Sequence, residues 1–312
     1  MIRAENITRF YGRFEAVSDF SFTAKSGEVV GLLGQNCAGK TTIMNVLAGC
    51  LAPSRGRVFI NSKDLAAQPH AARRSLGYLP EVPPVYPEMT VQEYLRFSCR
   101  IKGVLKADEK SHIMEIMELT GLQEIKHQLI SQLSKGFRQR AGLAQALCGD
   151  PEVLLLDEPT AGFDPMQAVA FRKLIRKLAK NKAILFSSHL LSEVQEICDR
   201  VLIIHNGKVI LDRSNDQEAQ STQYRLVVQG TPSRLLSPIR QLASVKRARQ
   251  TGENQTDITR LMVETEPGSA FTGQLFTLLA GMNAPIMELT PLQDSLETLF
   301  LQANERSEAD SK

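Results

Sequence analysis

The eight residues Gly34-Gln35-Asn36-Cys37-Ala38-Gly39-Lys40-Thr41 constrain this chain more than any other segment. They fit the pattern G-x-x-x-x-G-K-[ST] and lie between an apolar run, Val29–Leu33, that reads as a buried strand and a helical pattern starting at Lys40. Glycines let the backbone turn its N–H groups toward an anion, and the positive end of the helix dipole strengthens that field. The chain here must therefore run strand, tight loop, helix, which points to an α/β fold built to grip phosphate. Lys40 is placed to pair with β- and γ-phosphates and the Thr41 hydroxyl to hold Mg²⁺. Gly34, Gln35, Asn36, Cys37, Ala38, Gly39 and Thr42 complete the cradle.

The rest of residues 1–213 repeats this alternation of short apolar runs and helical patterns, as expected of a sheet flanked by helices. Val153–Asp157 reads as a second buried strand, 183–187 as a third and 201–205 as a fourth, the last closed by Asn206-Gly207 as a hairpin turn into 209–211. Asp164 is placed to cap a helix that has Pro165 at its first position. Between Val82 and Leu133 the strand signal gives way to helical patterning, so a helical insert, suited to docking a partner, is expected there. The pair Asp157-Glu158 closes a buried strand, where ligands of open α/β sheets collect. Taken alone, an acidic pair after a strand is as often a helix cap; beside a phosphate loop, Asp157 reads as a holder of the Mg²⁺ water shell and Glu158 as the general base that polarises an attacking water.

Composition narrows the setting. Hydrophobic residues make up 43% and charged residues 23% of the 312, as in ordinary globular domains. No apolar run approaches the roughly 18 residues of a membrane helix. The first residues lack the pattern of a secretory signal, which predicts a cytoplasmic protein. Five scattered cysteines without C-x-x-C spacing argue against a disulfide framework or zinc site. The 37 basic and 34 acidic residues leave a formal charge of +3, too balanced for a nucleic-acid surface. The basic stretch 172–182 reads as the solvated face of a helix whose apolar side carries Phe171, Leu174, Ile175 and Leu178.

Around 214–222 apolar periodicity is lost, which marks a linker. Beyond it, 224–228, 256–265 and 285–289 read as strands and 233–242 and 270–279 as helices. That order suggests β-α-β-β-α-β, a ferredoxin-like small α+β domain over 222–302, followed by a disordered tail at 305–312.

The motif order resembles the ATPase subunit of ABC transporters, a P-loop NTPase with a helical subdomain at about 82–133, and the likeness runs over residues 1–213. Leu133-Ser134-Lys135-Gly136-Phe137 resembles the family's signature motif, which implies that Ser134 and Gly136 contact the γ-phosphate held by a second ATPase subunit, with two copies of this chain as the expected dimer. Ala161-Gly162-Phe163-Asp164 resembles the loop joining the two sites. His189, otherwise an unremarkable surface or core histidine, resembles the switch histidine that senses the γ-phosphate. Tyr11 matches the adenine-stacking aromatic rather than a mere packing tyrosine, and Glu81 stands where the family carries a glutamine linking Mg²⁺ to the membrane partner. The resemblance thus implies ATP and Mg²⁺ as ligands, with Glu158, His189 and Lys40 as the catalytic set.

Three departures stand out: Cys37 replaces a usual glycine, Lys135 and Phe137 replace a glycine and a glutamine, and Glu81 replaces the glutamine. Tyr78-Leu79-Pro80-Glu81, Tyr86-Pro87-Glu88-Met89-Thr90-Val91 and Ser134-Lys135-Gly136-Phe137-Arg138-Gln139-Arg140, with the pattern at 295–300, resemble the bacterial branch that serves ABC-2-type permeases, including sodium-export, drug-export and gliding-motility ATPases. The implied function is to power export through a permease on a separate chain, from the inner face of the membrane. ABC proteins acting on DNA carry a long coiled coil before the signature and those acting on ribosomes carry two ATPase units, neither of which fits here. A regulatory module without turnover would lack Glu158.

Overall fold

The computed structural model describes residues 1–214, 223–251, 258–266 and 270–291. Most of the expected linker, Thr256 and Asp257 at the head of an expected strand, the 295–300 pattern and the 305–312 tail lie outside the described residues. The chain divides into two compact units, Met1–Asp216 and Gln217–Gln302.

In the first unit the elements are β1 (Ile2–Tyr11), β2 (Phe14–Ala24), β3 (Val29–Leu33), α1 (Lys40–Leu47), β4 (Arg55–Ile60), β5 (Lys63–Asp64), α2 (Pro69–Arg74), β6 (Leu76–Leu79), α3 (Val91–Lys102), α4 (Glu109–Thr120), α5 (Lys135–Leu147), β7 (Val153–Asp157), α6 (Pro165–Ala179), β8 (Ala183–Ser188), α7 (Leu191–Ile197), β9 (Arg200–His205) and β10 (Lys208–Ser214). Six strands form a sheet in the order β10-β9-β3-β8-β7-β6. Strands β6, β7, β8, β3 and β9 run parallel, and β10 returns antiparallel through Asn206 and Gly207, both with positive φ as a primed hairpin turn demands. Every residue of β3, β7 and β8 is buried, which explains why they read as unbroken apolar runs.

A second, antiparallel sheet, β2-β1-β4-β5, was not separately legible in the sequence. Helix α1 joins the two sheets: Ile43, Met44 and Leu47 share one core with Leu32, Leu155 and Leu185 of the parallel sheet and with Ile7, Phe20 and Ile60 of the antiparallel one. Burying each such side chain contributes roughly 1.5–3 kcal/mol, so the helix that follows the phosphate loop is anchored on both sides.

Between Val82 and Leu133 the chain holds α3, α4 and two short 3-10 turns and no strand. Thr90 starts α3 with a reciprocal cap: the Glu93 N–H donates to Thr90 Oγ1 at 3.3 Å and the Thr90 N–H to Glu93 Oε2 at 2.9 Å. On α6, Phe171, Ile175 and Leu178 are buried and Lys173, Arg176 and Lys177 face outward, Arg176 paired with Asp199 at 2.5 Å. Its cap is Asp164, which accepts the Gln167 N–H at 2.8 Å.

The second unit comprises β11 (Gln223–Gln229), α8 (Pro232–Arg240), β12 (Val245–Gln250), β13 (Ile258–Thr265), α9 (Phe271–Gly281) and β14 (Ile286–Pro291). The sheet order is β12-β13-β11-β14, all neighbours antiparallel, which is the ferredoxin-like arrangement. Leu226, Val228, Leu261 and Val263 on one face pack with Leu235 and Ile239 of α8 and with Phe271 and Leu275 of α9. Strand β12 is an addition to the sequence reading.

Candidate functional site

Three segments leave the same edge of the parallel sheet. Leu33 at the end of β3 lies opposite Ser188 of β8, and Ser187 lies opposite Asp157 of β7. The loop at 34–39, the Asp157-Glu158 pair and His189 therefore emerge side by side, at the carboxyl ends of the strands.

The loop is held by close backbone approach. A Cβ on Gly34 would stand 2.7 Å from the Ile204 carbonyl oxygen, and one on Gly39 would stand 2.8 Å from that of Ala16. Gly39 also caps α1 at φ 104°, a conformation open to glycine. Between them the Ala38 N–H donates to the Gln35 oxygen at 3.3 Å, and Cys37 occupies the third position of that turn with φ 66°.

Lys40 is 6% exposed, and its ammonium donates to the carbonyl oxygens of Gly34 at 2.7 Å and Gln35 at 3.1 Å. It also stands 3.4 Å from Glu158 Oε1. The other oxygen of that carboxylate, Oε2, lies 2.8 Å from His189 Nδ1. Glu158 itself takes φ 45°, an uncommon backbone for a residue with a long side chain. Ser187 supports it: the Glu158 N–H donates to Ser187 Oγ at 2.9 Å, while that hydroxyl donates to Asp157 Oδ1 at 2.6 Å. Ser187 had no role in the sequence reading, because its importance comes from strand register and not from a motif.

Asp157 is fully buried. Burial holds its carboxyl above the usual carboxylate range; hydrogen bonds from Ser187 and Thr41 pull the other way, and the negative charges of Glu158 and Glu81 add to the rise. Its Oδ2 is buried without a hydrogen-bond partner. An anionic oxygen left so is costly unless a cation or a cation's water answers it. With the Thr41 hydroxyl beside it, the donor set is hard oxygen and fits Mg²⁺, which keeps several waters and needs few protein ligands.

Gln35, Asn36, Cys37, Lys40, Thr41, Glu81, Glu158 and His189 line one cleft of about 340 Å³, with Ala161 at its wall. Gly34, Ala38 and Gly39 belong to the same loop and Thr42 to the first turn of α1, and none of the four lines the cleft. Tyr11 ends β1 with 48% exposure and carries the Arg9 guanidinium 5.2 Å from its ring centre. Ser134 and Gly136 do not line the cleft. Ser134 caps α5, accepting the Phe137 N–H at 3.4 Å, and a Cβ on Gly136 would meet Gln167 Oε1 at 2.7 Å.

Residues 17–161 match the profile of the family described as ABC transporter. The Bacillus subtilis uncharacterized ABC transporter ATP-binding protein YxlF is 40% identical over 209 residues, 67% of this chain and 69% of that protein. This chain belongs to the ABC transporter ATP-binding proteins. The Bacillus subtilis linearmycin resistance ATP-binding protein LnrL is 30% identical over 98% of this chain and 99% of its own length, so this similarity extends through the second unit. A solved ATP-binding subunit of an ABC transporter, 29% identical, superposes with a TM-score of 0.65 over 70% of this chain and 91% of that one. As a member of the ABC transporter family the chain is an ATP-binding and ATP-hydrolysing subunit. Subunits of this family dimerise and work with membrane permeases. Among the described residues no helix is long and apolar enough to cross a membrane.

Proposed function

We propose that this ATPase powers export through an ABC-2-type permease on a separate chain, seated against the inner face of the membrane, and that its nucleotide site is the cleft of Lys40, Thr41, Glu81, Glu158 and His189. The convergence of Lys40 and His189 on the two oxygens of Glu158, beside the unpartnered buried oxygen of Asp157, carries the reading of the site. The name of the full-length relative, a linearmycin resistance protein, supports export, since moving a toxic compound outward confers resistance.

In this scheme Lys40 exchanges its contacts with the loop carbonyls for the β- and γ-phosphates, and the N–H groups of residues 35–42 grip the remaining phosphate oxygens. Thr41, Asp157 and Glu81 would hold Mg²⁺, which when bound would supply positive charge against the phosphate oxygens. Glu158 takes a proton from the attacking water, and His189, fixed on Glu158 Oε2, orients that carboxylate and reads the γ-phosphate. Tyr11 stacks on adenine. Ser134 and Gly136 of a second copy close over the triphosphate, and the helical insert at 82–133 passes closure to the permease.

Glu158→Gln tests the assignment. ATP binding by the variant, followed by calorimetry, should stay within about threefold of the parent, while steady-state phosphate release should fall by at least about a hundredfold. Turnover near the parent rate would remove Glu158 from the role of base. Copurification with an integral membrane protein, against ribosomes or DNA, tests the partner.

A further inference from the structure

We propose that Glu193 is a positioning residue for hydrolysis: a buried carboxylate that ties the turn carrying Glu158 to the turn carrying His189. It lies in the first turn of α7 and is 8% exposed. Its Oε2 accepts two hydrogen bonds, from Thr160 Oγ1 at 2.9 Å and from Ser188 Oγ at 2.8 Å. Thr160 follows Glu158 by two residues, and Ser188 immediately precedes His189. Both hydroxyls are buried with it, Thr160 at 6% and Ser188 at 0% exposure. Ser188 Oγ also accepts the Leu190 N–H at 3.0 Å, so the one hydroxyl fixes the backbone after His189 while spending its proton on Glu193.

A packing role alone does not account for this side chain. A carboxylate out of water is costly to keep, and an apolar residue would fill the space without that cost. What the carboxylate provides is an acceptor able to receive two hydrogen bonds at one oxygen, from segments that leave two neighbouring strands. Glu158 needs such support. Its φ of 45° is a conformation that persists only where surroundings over-determine it. Ser187 holds the Glu158 N–H; Glu193 holds Thr160 in the turn that follows and Ser188 just before the histidine. The distance set by this clamp is the 2.8 Å between His189 Nδ1 and Glu158 Oε2.

The inference rests on the roles proposed above for Glu158 and His189. Its test is steady-state ATP hydrolysis by the purified full-length chain, with ATP affinity measured separately by calorimetry. Because Glu193 is not among the residues that line the cleft, Glu193→Ala should lower kcat about ten- to a hundredfold while affinity stays within about twofold. Glu193→Gln should return turnover to within about threefold of the parent, since an amide oxygen can accept both hydrogen bonds. Thr160→Val and Ser188→Ala each remove one tie and should each give part of the kcat loss, which keeps the test open if Glu193→Ala does not fold. An unchanged kcat in Glu193→Ala, or in both hydroxyl variants, would overturn the proposal. So would a Gln variant as slow as Ala, or affinity falling in step with turnover. Glu158→Gln run alongside separates the two readings: if it hydrolyses ATP normally the site assignment fails, whereas if it is inactive and Glu193→Ala is fully active only the clamp fails.

Discussion

Replacing Cys37 by glycine should stabilise the protein. Cys37 holds φ at 66° in the third position of the Gln35–Ala38 turn, where glycine is the favoured residue. The left-handed conformation costs an L-residue about 1–2 kcal/mol. Glycine avoids that cost but gains freedom in the unfolded chain, which takes back about 0.4–1 kcal/mol. At the middle of these ranges the balance is a gain of about 0.8 kcal/mol, or roughly 2–3 °C in the melting point of a domain of this size. Thermal unfolding of the full-length chain, followed through the transition that ATP raises, gives the measurement. Cys37→Ala is the control: it removes the sulfur, keeps the Cβ, and should show no such rise. A glycine variant melting at or below the parent temperature, or an alanine variant rising equally, would refute the strain argument.

Gly39→Ala should act in the opposite sense, losing about 2 kcal/mol or more of stability in denaturant unfolding, because the new Cβ enters 2.8 Å from the Ala16 oxygen at φ 104°. Ser187→Ala leaves the Glu158 N–H without its acceptor and takes from Asp157 the donor at its Oδ1; stability should fall by about 1–3 kcal/mol, and kcat should fall more than ATP affinity, which paired kinetics and calorimetry would register. Alkylation of Cys37, which is exposed on the cleft wall, should block ATP binding, and ATP should slow the labelling; labelling at the same rate with and without saturating ATP would count against a nucleotide at this position.

How much of this was legible depends on whether a side chain's partner is near in sequence or across the fold. The strands β3, β7 and β8 announced themselves because burial on both faces demands unbroken apolar runs. Strand β1 did not. Its pairing register shifts after Ala4, Ile7 and Arg9, and Asn6 sits at φ 49°, so the alternation that marks a half-buried strand is broken. Strand β12, Val245–Gln250, buries only Ala248 among basic and polar neighbours and leaves almost no apolar signal. The same division runs through the site. Lys40, Asp157 and Glu158 could be named because loop and strand end are contiguous stretches with their own chemistry. Ser187 and Glu193 could not, because each works through groups some thirty residues away, 30 in the case of Asp157 and 33 in that of Thr160. A motif records the groups assigned to phosphate; the groups that hold them in place become visible only when β7 and β8 lie side by side.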